Sequence, residues 1–391
     1  MPDVELVTRL LTLQEEKLLR RYFTDKGYKG VANLRPLGRA GQSGAKVFLV
    51  LFMPRSVPFV LKLHSEEEIT KEEASINKVK TVFADCLSGE PAFYDKNAHR
   101  GAILYKHVGA NDPESMEKSS PLSELVFQKE RRNGELAPLS QEILGLTIEK
   151  LFANTCKTAH SKPSLKKTKL LKEYERYLRK DANKFRTIPR IRTMLGNDVD
   201  NDNPTILGEK ILNPLMAIQK GFKEEKSIKI CHIHGDLHPN NIIIDHEGAP
   251  RLIDFAWAES DAHFLKDFVL LENSIRFSIF PRYINEQDQL KVDTLLLRRE
   301  GAQEIKQKAF YGKITSKLAQ DAYLRMADMI DVIRKRACSV GGNRFDFNEY
   351  LAAQFLMLYG LMRFDEYNTP TVLRALGMIG LKLHNTEYIP S

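Results

Sequence analysis

The run Ile233-His234-Gly235-Asp236-Leu237-His238-Pro239-Asn240-Asn241-Ile242-Ile243-Ile244-Asp245, followed by Pro250-Arg251-Leu252-Ile253-Asp254-Phe255, organises the reading of this chain. Apolar β-branched residues bracket a polar loop, and His246-Glu247-Gly248-Ala249 turns the chain back into a second apolar stretch. The pattern predicts a hairpin that brings Asp236, Asn241 and Asp254 to one end of a sheet. Asp and Asn also favour ordinary turns through local hydrogen bonds. The joint spacing, Asn241 five residues and Asp254 eighteen residues after Asp236, argues for more than a turn. Phosphoryl transfer needs a carboxylate to take a hydroxyl proton and oxygen ligands for a magnesium ion on the triphosphate.

Two features upstream fit that chemistry. Leu37-Gly38-Arg39-Ala40-Gly41-Gln42-Ser43-Gly44-Ala45-Lys46-Val47 sets Gly38, Gly41 and Gly44 just before a strand. Glycine there lets backbone N–H groups approach phosphates closely, although a plain glycine turn reads almost as well. Lys62 interrupts the apolar strand Phe59-Val60-Leu61-Lys62-Leu63, where an unpaired ammonium is costly, and an edge position facing solvent is the bland alternative. Glu73 opens the apolar face of the next predicted helix and is taken as the partner of Lys62, with Glu72 the competitor.

These motifs together resemble the aminoglycoside phosphotransferase and choline kinase-like family, the small-molecule branch of the protein-kinase-like fold. HGDLHPNN (234–241) is similar to the family's catalytic loop and IDFAWA (253–258) to its metal-binding segment, and the resemblance spans about residues 31–280. It implies that Asp236 is the catalytic base, that Asn241 and Asp254 hold Mg2+, and that Lys62 reaches the phosphates of ATP. His234 would brace the loop, and His238 stands where Ser/Thr kinases usually carry Lys, which favours the small-molecule branch. Tyr105 and His107 fall where the hinge contacts adenine, mainly through backbone, and Asp267 resembles the acid that anchors the catalytic loop. Ala256 replaces the Gly of a DFG motif and no APE motif follows, so a protein-kinase activation segment is in doubt.

The fold expected is α+β, a two-lobed protein-kinase-like fold with a small antiparallel-sheet N-lobe and a large, mostly helical C-lobe. Val4 to Lys26 reads as an amphipathic helix within an N-terminal extension (1–30), and residues 31–109 as the nucleotide-binding N-lobe. Strands are expected at 47–53, 58–63 and 101–109, with a helix from Ser65 to Ala84. Residues 110–391 form the C-lobe, opening on a polar linker and containing the hairpin 228–255. Helices are expected at 138–160, 164–186 and 205–224. Leu351 to Met362, apolar nearly all round, reads as the centre of a helical core.

Length and composition set the outer bounds. The chain has 391 residues, 42% hydrophobic and 28% charged, which is ordinary for a folded protein of two or so domains. No apolar run approaches the ~20 residues of a membrane-spanning helix. The beginning MPDVELVTRL has no secretory pattern. Cys86, Cys156, Cys231 and Cys338 are widely spaced without a CxxC pair, and a cytoplasmic setting is expected. His232, His234 and His238 lack the partners of a zinc site.

The net charge of +8 is concentrated rather than spread. Residues 162–192 hold twelve lysines and arginines against three acids, a net +9, so the rest of the chain is close to neutral. A solvated helical insertion is the plain reading, and an electropositive wall for an anionic ligand or partner the sharper one. Nucleic acid is the less favoured partner, since no recognisable binding module appears. The function expected is transfer of the γ-phosphate of ATP to a hydroxyl of a small molecule. The alternatives are a protein-hydroxyl kinase and a non-catalytic nucleotide-sensing or nucleic-acid-binding module.

Overall fold

The computed structural model describes residues 5–7, 10–36, 44–53, 57–87, 92–95, 99–106, 119–126, 141–161, 163–245, 247–280, 285–307, 310, 314 and 316–390. They form two compact units. One gathers Met1–Leu139, Glu149–Ser161 and His232–Ser260, and the other Ser140–Ile148, Lys162–Cys231 and Asp261–Ser391. The α+β class is the one expected.

The first unit is built on six strands, β1 (Glu5–Val7), β2 (Val31–Pro36), β3 (Lys46–Met53), β4 (Val57–Ser65), β5 (Phe93–Asp95) and β6 (Arg100–Lys106). Their order is β1-β2-β3-β4-β6-β5, antiparallel apart from the parallel β1–β2 pair. In β4, Lys62 pairs with Val47 on one side and Ile103 on the other, so it sits inside the sheet and not at an edge.

The opening stretch is not one helix. Glu5–Val7 is extended, and α1 (Leu13–Asp25) begins only at Thr12. Thr12 and Glu15 form a capping box: the Thr12 hydroxyl accepts from the Glu15 N–H, and Glu15 accepts from the Thr12 N–H at 2.8 Å. That cap fixes the helix start, a local signal stronger than the leucine periodicity before it. Leu18, Leu19, Tyr22 and Phe23 of α1 pack with Phe48, Val50, Phe52, Phe59, Leu61 and Leu63 on one face of the sheet. Residues alternate faces along a strand, so Lys62 belongs to the opposite face. Both faces of β3 are buried from Phe48 to Phe52, which explains why its sequence is continuously apolar rather than alternating. α1 also reaches the strand that follows the glycine loop: Lys46 Nζ lies 2.6 Å from Glu15 Oε2.

α2 (Glu66–Val79) starts at Ser65, whose hydroxyl accepts from the Glu68 N–H, and buries Ile69, Glu72, Ser75 and Val79. The loop-bearing hairpin pairs Ile242–Ile244 with Pro250–Leu252, and Ser120–Pro121 adds a third strand from within the predicted linker. Asp245 fixes its turn, accepting from the Glu247 and Ala249 N–H groups at 3.0 and 2.8 Å.

The second unit is mainly helical. Its longer helices are Leu265–Ser274, Glu286–Leu296, Lys317–Gly341, Phe347–Leu361 and Pro370–Leu383. Tyr350 through Leu361 is buried on every side, as the all-round apolar sequence predicted. Two expected helices are corrected. Residues 164–186 open with a strand, Ser164–Lys169, antiparallel to Glu225–Ile233, and continue as short helical turns. Residues 205–224 contain the two-residue strands Thr205–Ile206 and Glu209–Lys210 before the helix Pro214–Lys220. Both segments are broken by backbone that a helix cannot hold, with positive φ at Arg179, Leu207 and Gly208.

Candidate active site

Lys62 is 4% exposed and lies between two carboxylates, Glu72 Oε2 at 2.8 Å and Asp254 Oδ1 at 2.6 Å. Burial works against its charge, but Glu72 and Asp254 outweigh that and hold the ammonium above its ordinary range. One cation cannot fully satisfy two anions in a dry site. The cost falls on Glu72, which is pushed up from 4.5 to about 8 by burial and by Asp254, against the pull of Lys62. The other oxygen of Glu72 accepts from the Phe255 N–H at 3.1 Å, so one carboxylate ties α2, β4 and the Asp254 segment together.

The expected partner, Glu73, is thereby corrected to Glu72. Adjacent helical residues are rotated by about 100°. Glu72 falls in line with Ile69, Ser75 and Val79, whereas Glu73 faces elsewhere, accepting from the Ala92 N–H at 2.9 Å and the Tyr94 hydroxyl at 2.6 Å.

Asp254 has φ +64, a left-handed conformation uncommon for a residue with a Cβ. Its side chain keeps 25% exposure. The flanking residues clamp it: the Ile253 N–H donates to the Asn241 carbonyl at 3.1 Å, and the Ser75 hydroxyl donates to the Ala256 carbonyl at 3.2 Å. Phe255 is buried with its ring 4.6 Å from His234, 5.3 Å from Phe83 and 6.1 Å from Tyr105.

Asp236 and Asn241 form the second half. Asn241 donates from Nδ2 to the Asp236 carbonyl at 2.9 Å and to its carboxylate at 3.3 Å. That turns the Asn241 amide oxygen away from Asp236. His234 is fully buried, with Nε2 2.9 Å from the Ile253 carbonyl and Nδ1 3.3 Å from the Asp236 N–H. A carbonyl only accepts and an amide N–H only donates, so the ring is the neutral Nε2–H tautomer. Gly235 has φ +79, and a Cβ there would stand 2.0 Å from the Trp257 carbonyl oxygen, so no other residue fits. His238 Nε2 lies 3.6 Å from Asp236 Oδ2, while its Nδ1 accepts from the Asn240 N–H at 3.3 Å. Asn240 in turn accepts a hydrogen bond from Ser123, a contact that sequence gave no means to anticipate. Burial would raise the Asp236 pKa, but His238 chiefly outweighs it and keeps the carboxyl below its ordinary range.

Asp254 and Asn241 could therefore offer a carboxylate and an amide oxygen. That hard, two-ligand oxygen set suits Mg2+, which keeps much of its water. Among the described residues no cluster of three or more His, Cys, Asp or Glu forms a metal cage.

The other expected residues fare unevenly. Gly44 has φ +76, which favours glycine at the end of its loop. Gly38, Gly41 and His107 lie outside the described residues. Tyr105 is 1% exposed and paired with Val60 in the sheet, with its ring in the core. Asp267 is fully buried on the helix Leu265–Ser274 of the second unit.

Comparison with known proteins adds likenesses. The family Ternary complex associated domain 9 matches residues 187–357, less than half of the chain, including Asp236, Asn241 and Asp254 but not Lys62 or Glu72. No curated protein matches the sequence. Among solved structures, the chain is similar to aminoglycoside phosphotransferase APH(4)-Ia, at 10% identity and TM-score 0.44, over 94% of this chain and 98% of that one. It is similar to choline kinase LicA from Streptococcus pneumoniae at 10% identity and TM-score 0.44, over 94% and 99%. A Plasmodium vivax ethanolamine kinase is similar at 12% identity and TM-score 0.37, over 92% and 84%. Among the described residues no helix is long and apolar enough to cross a membrane.

Proposed function

We propose that this protein is an ATP-dependent phosphotransferase that moves the γ-phosphate to a hydroxyl group of a small molecule. The observation that carries the reading is the pairing of Lys62 with both Glu72 and Asp254, in the same unit as the Asp236–Asn241 pair. A strand lysine paired with a helix glutamate, beside an Asp–Phe segment and an Asp…Asn loop, is the constellation that protein kinases use on ATP.

Lys62 presents a fixed positive charge to the nucleotide phosphates, and Glu72 sets its direction. Asn241 and Asp254 would hold Mg2+. The chemistry the ion would supply there is neutralisation of charge on the phosphates. Asp236 is ionised at neutral pH. It accepts a hydrogen bond from the substrate hydroxyl, aims the oxygen at the γ-phosphorus, and takes the proton as the new P–O bond forms and the bond to the ADP oxygen breaks. Asn241 keeps the carboxylate oriented, and His238 beside it favours the ionised form.

The test is ADP release across a chemically varied panel of hydroxyl compounds, with Asp236→Ala as control. A positioned base contributes about 10²–10⁴-fold, so that variant should lose turnover by this order and still bind ATP. Undiminished turnover in a folded Asp236→Ala protein would sink the assignment.

A further inference from the structure

The second unit carries a basic groove that phosphotransfer leaves unused. Its volume is about 360 Å³, and Lys169, Lys172 and Lys180 line it with Leu171 and Leu178. Lys180 is 91% exposed and pairs only loosely, at 3.9 Å, with Glu175 on the same lining. Among the described residues neither Lys169 nor Lys172 has an ion-pair partner. Asn183 completes the lining, and two residues further on Phe185 is 68% exposed. Lys184 Nζ stands 5.2 Å from the Phe185 ring centre, and Arg186 beside it is exposed.

The local backbone accounts for that exposed ring. The single amphipathic helix expected over 164–186 is replaced by the short turns Leu170–Glu173, Glu175–Leu178 and Lys180–Ala182. Arg179 breaks them at φ +35, and a π-helical turn, Asn183–Thr187, follows. Leu170, Tyr174 and Tyr177 take the buried positions, and Phe185 is left outside. An edge-strand role explains the lysines of Ser164–Lys169, which deter sheet-to-sheet aggregation. It does not explain an exposed aromatic ring.

We propose that this groove and the Phe185 ring bind single-stranded nucleic acid. Such a strand presents charged phosphates and flat base faces at once, and the surface has a match for both. Lysine ammoniums suit the phosphates, and the exposed Phe185 ring suits a base face. An acidic peptide would satisfy the lysines and leave the ring without a planar partner. A duplex keeps its base faces stacked inward. A flat anionic membrane does not fill a concave groove.

The proposal is independent of the phosphotransfer reading, and Asp236→Asn should bind like the unaltered chain. The measurement is fluorescence anisotropy of labelled oligo-dT and oligo-U on the full chain, against duplex DNA, polyglutamate and phosphatidylserine vesicles. The single strands should bind best, with affinity falling by about 0.7 log units per log salt for each phosphate neutralised. Phe185→Ala should weaken binding on the order of tenfold without changing that slope. The double variant Lys169→Glu/Lys172→Glu should make the slope shallower. Equal binding by Phe185→Ala, preference for any of the three competitors, or no binding at low salt overturns the proposal.

Discussion

Two fully buried glutamates, one in each unit, are treated in opposite ways. Glu272 in the second unit accepts from Arg334 at 2.9 and 2.7 Å, from the Tyr350 hydroxyl at 2.7 Å and from Gln354 at 2.8 Å, with Arg276 at 3.5 Å. Burial opposes its charge, but Arg334 and Arg276 win, and its pKa falls below the ordinary range. Glu72 has one lysine, which it shares with Asp254, and its pKa rises. The first carboxylate is saturated with donors and therefore serves structure. The second is left short, beside a residue with a left-handed backbone and a side chain open to solvent, an arrangement that fits the phosphate-binding role proposed above.

The comparison breaks first at Arg334. Replacing it by Met leaves Glu272 buried with its main counter-charge gone, and such a loss costs about 3–5 kcal/mol. Arg334→Met should lower the midpoint of denaturant unfolding accordingly. A shift no larger than that of a surface substitution would mean the network contributes little. Lys62→Met is expected to do less to the fold, about 1–3 kcal/mol, because Glu72 is already poised to take a proton and shed its charge. Its effect on phosphotransfer should be far larger, roughly 10²–10³-fold, as for loss of a preorganised group facing transition-state charge. A Lys62→Met protein as unstable as Arg334→Met would erase the distinction.

Most of the site was legible because it is local. Asp236, Asn241 and the surrounding isoleucines lie within a dozen residues, and the turn chemistry of Asp245 and Gly235 is written in single residues. Lys62 stood out because a lysine inside an apolar strand demands a partner. What stayed hidden depends on phase and on contacts distant in sequence. The choice between Glu72 and Glu73 rests on one residue of helix rotation, settled only when Phe255, 183 positions on, supplies an N–H. The strand at Ser164–Lys169 was hidden because its pairing with Glu225–Ile230 outweighs a lysine-rich sequence with helical propensity. The capping box at Thr12 was readable in sequence, and the leucine periodicity drew attention away from it.

The finest test is the pH dependence of stability, in which the two glutamates should act with opposite sign. Glu272, with its lowered pKa, contributes stability above the unfolded carboxyl value near 4.5 that is lost as pH falls through the folded value. Glu72, raised from 4.5 to about 8, holds its proton more tightly when folded, so its contribution is full below pH 4.5 and declines as pH rises through about 8. Removing the titrating group should remove the decline. Unfolding curves of the ligand-free protein from acid to mildly alkaline pH should show a shallower loss on the alkaline side for Glu72→Gln. The acid limb, where Glu272 acts, should be unchanged. If Glu72→Gln left the alkaline side as steep as before, Glu72 would not be the proton-holding group, and the contrast between a saturated carboxylate and one held in reserve would fail at its most sensitive point.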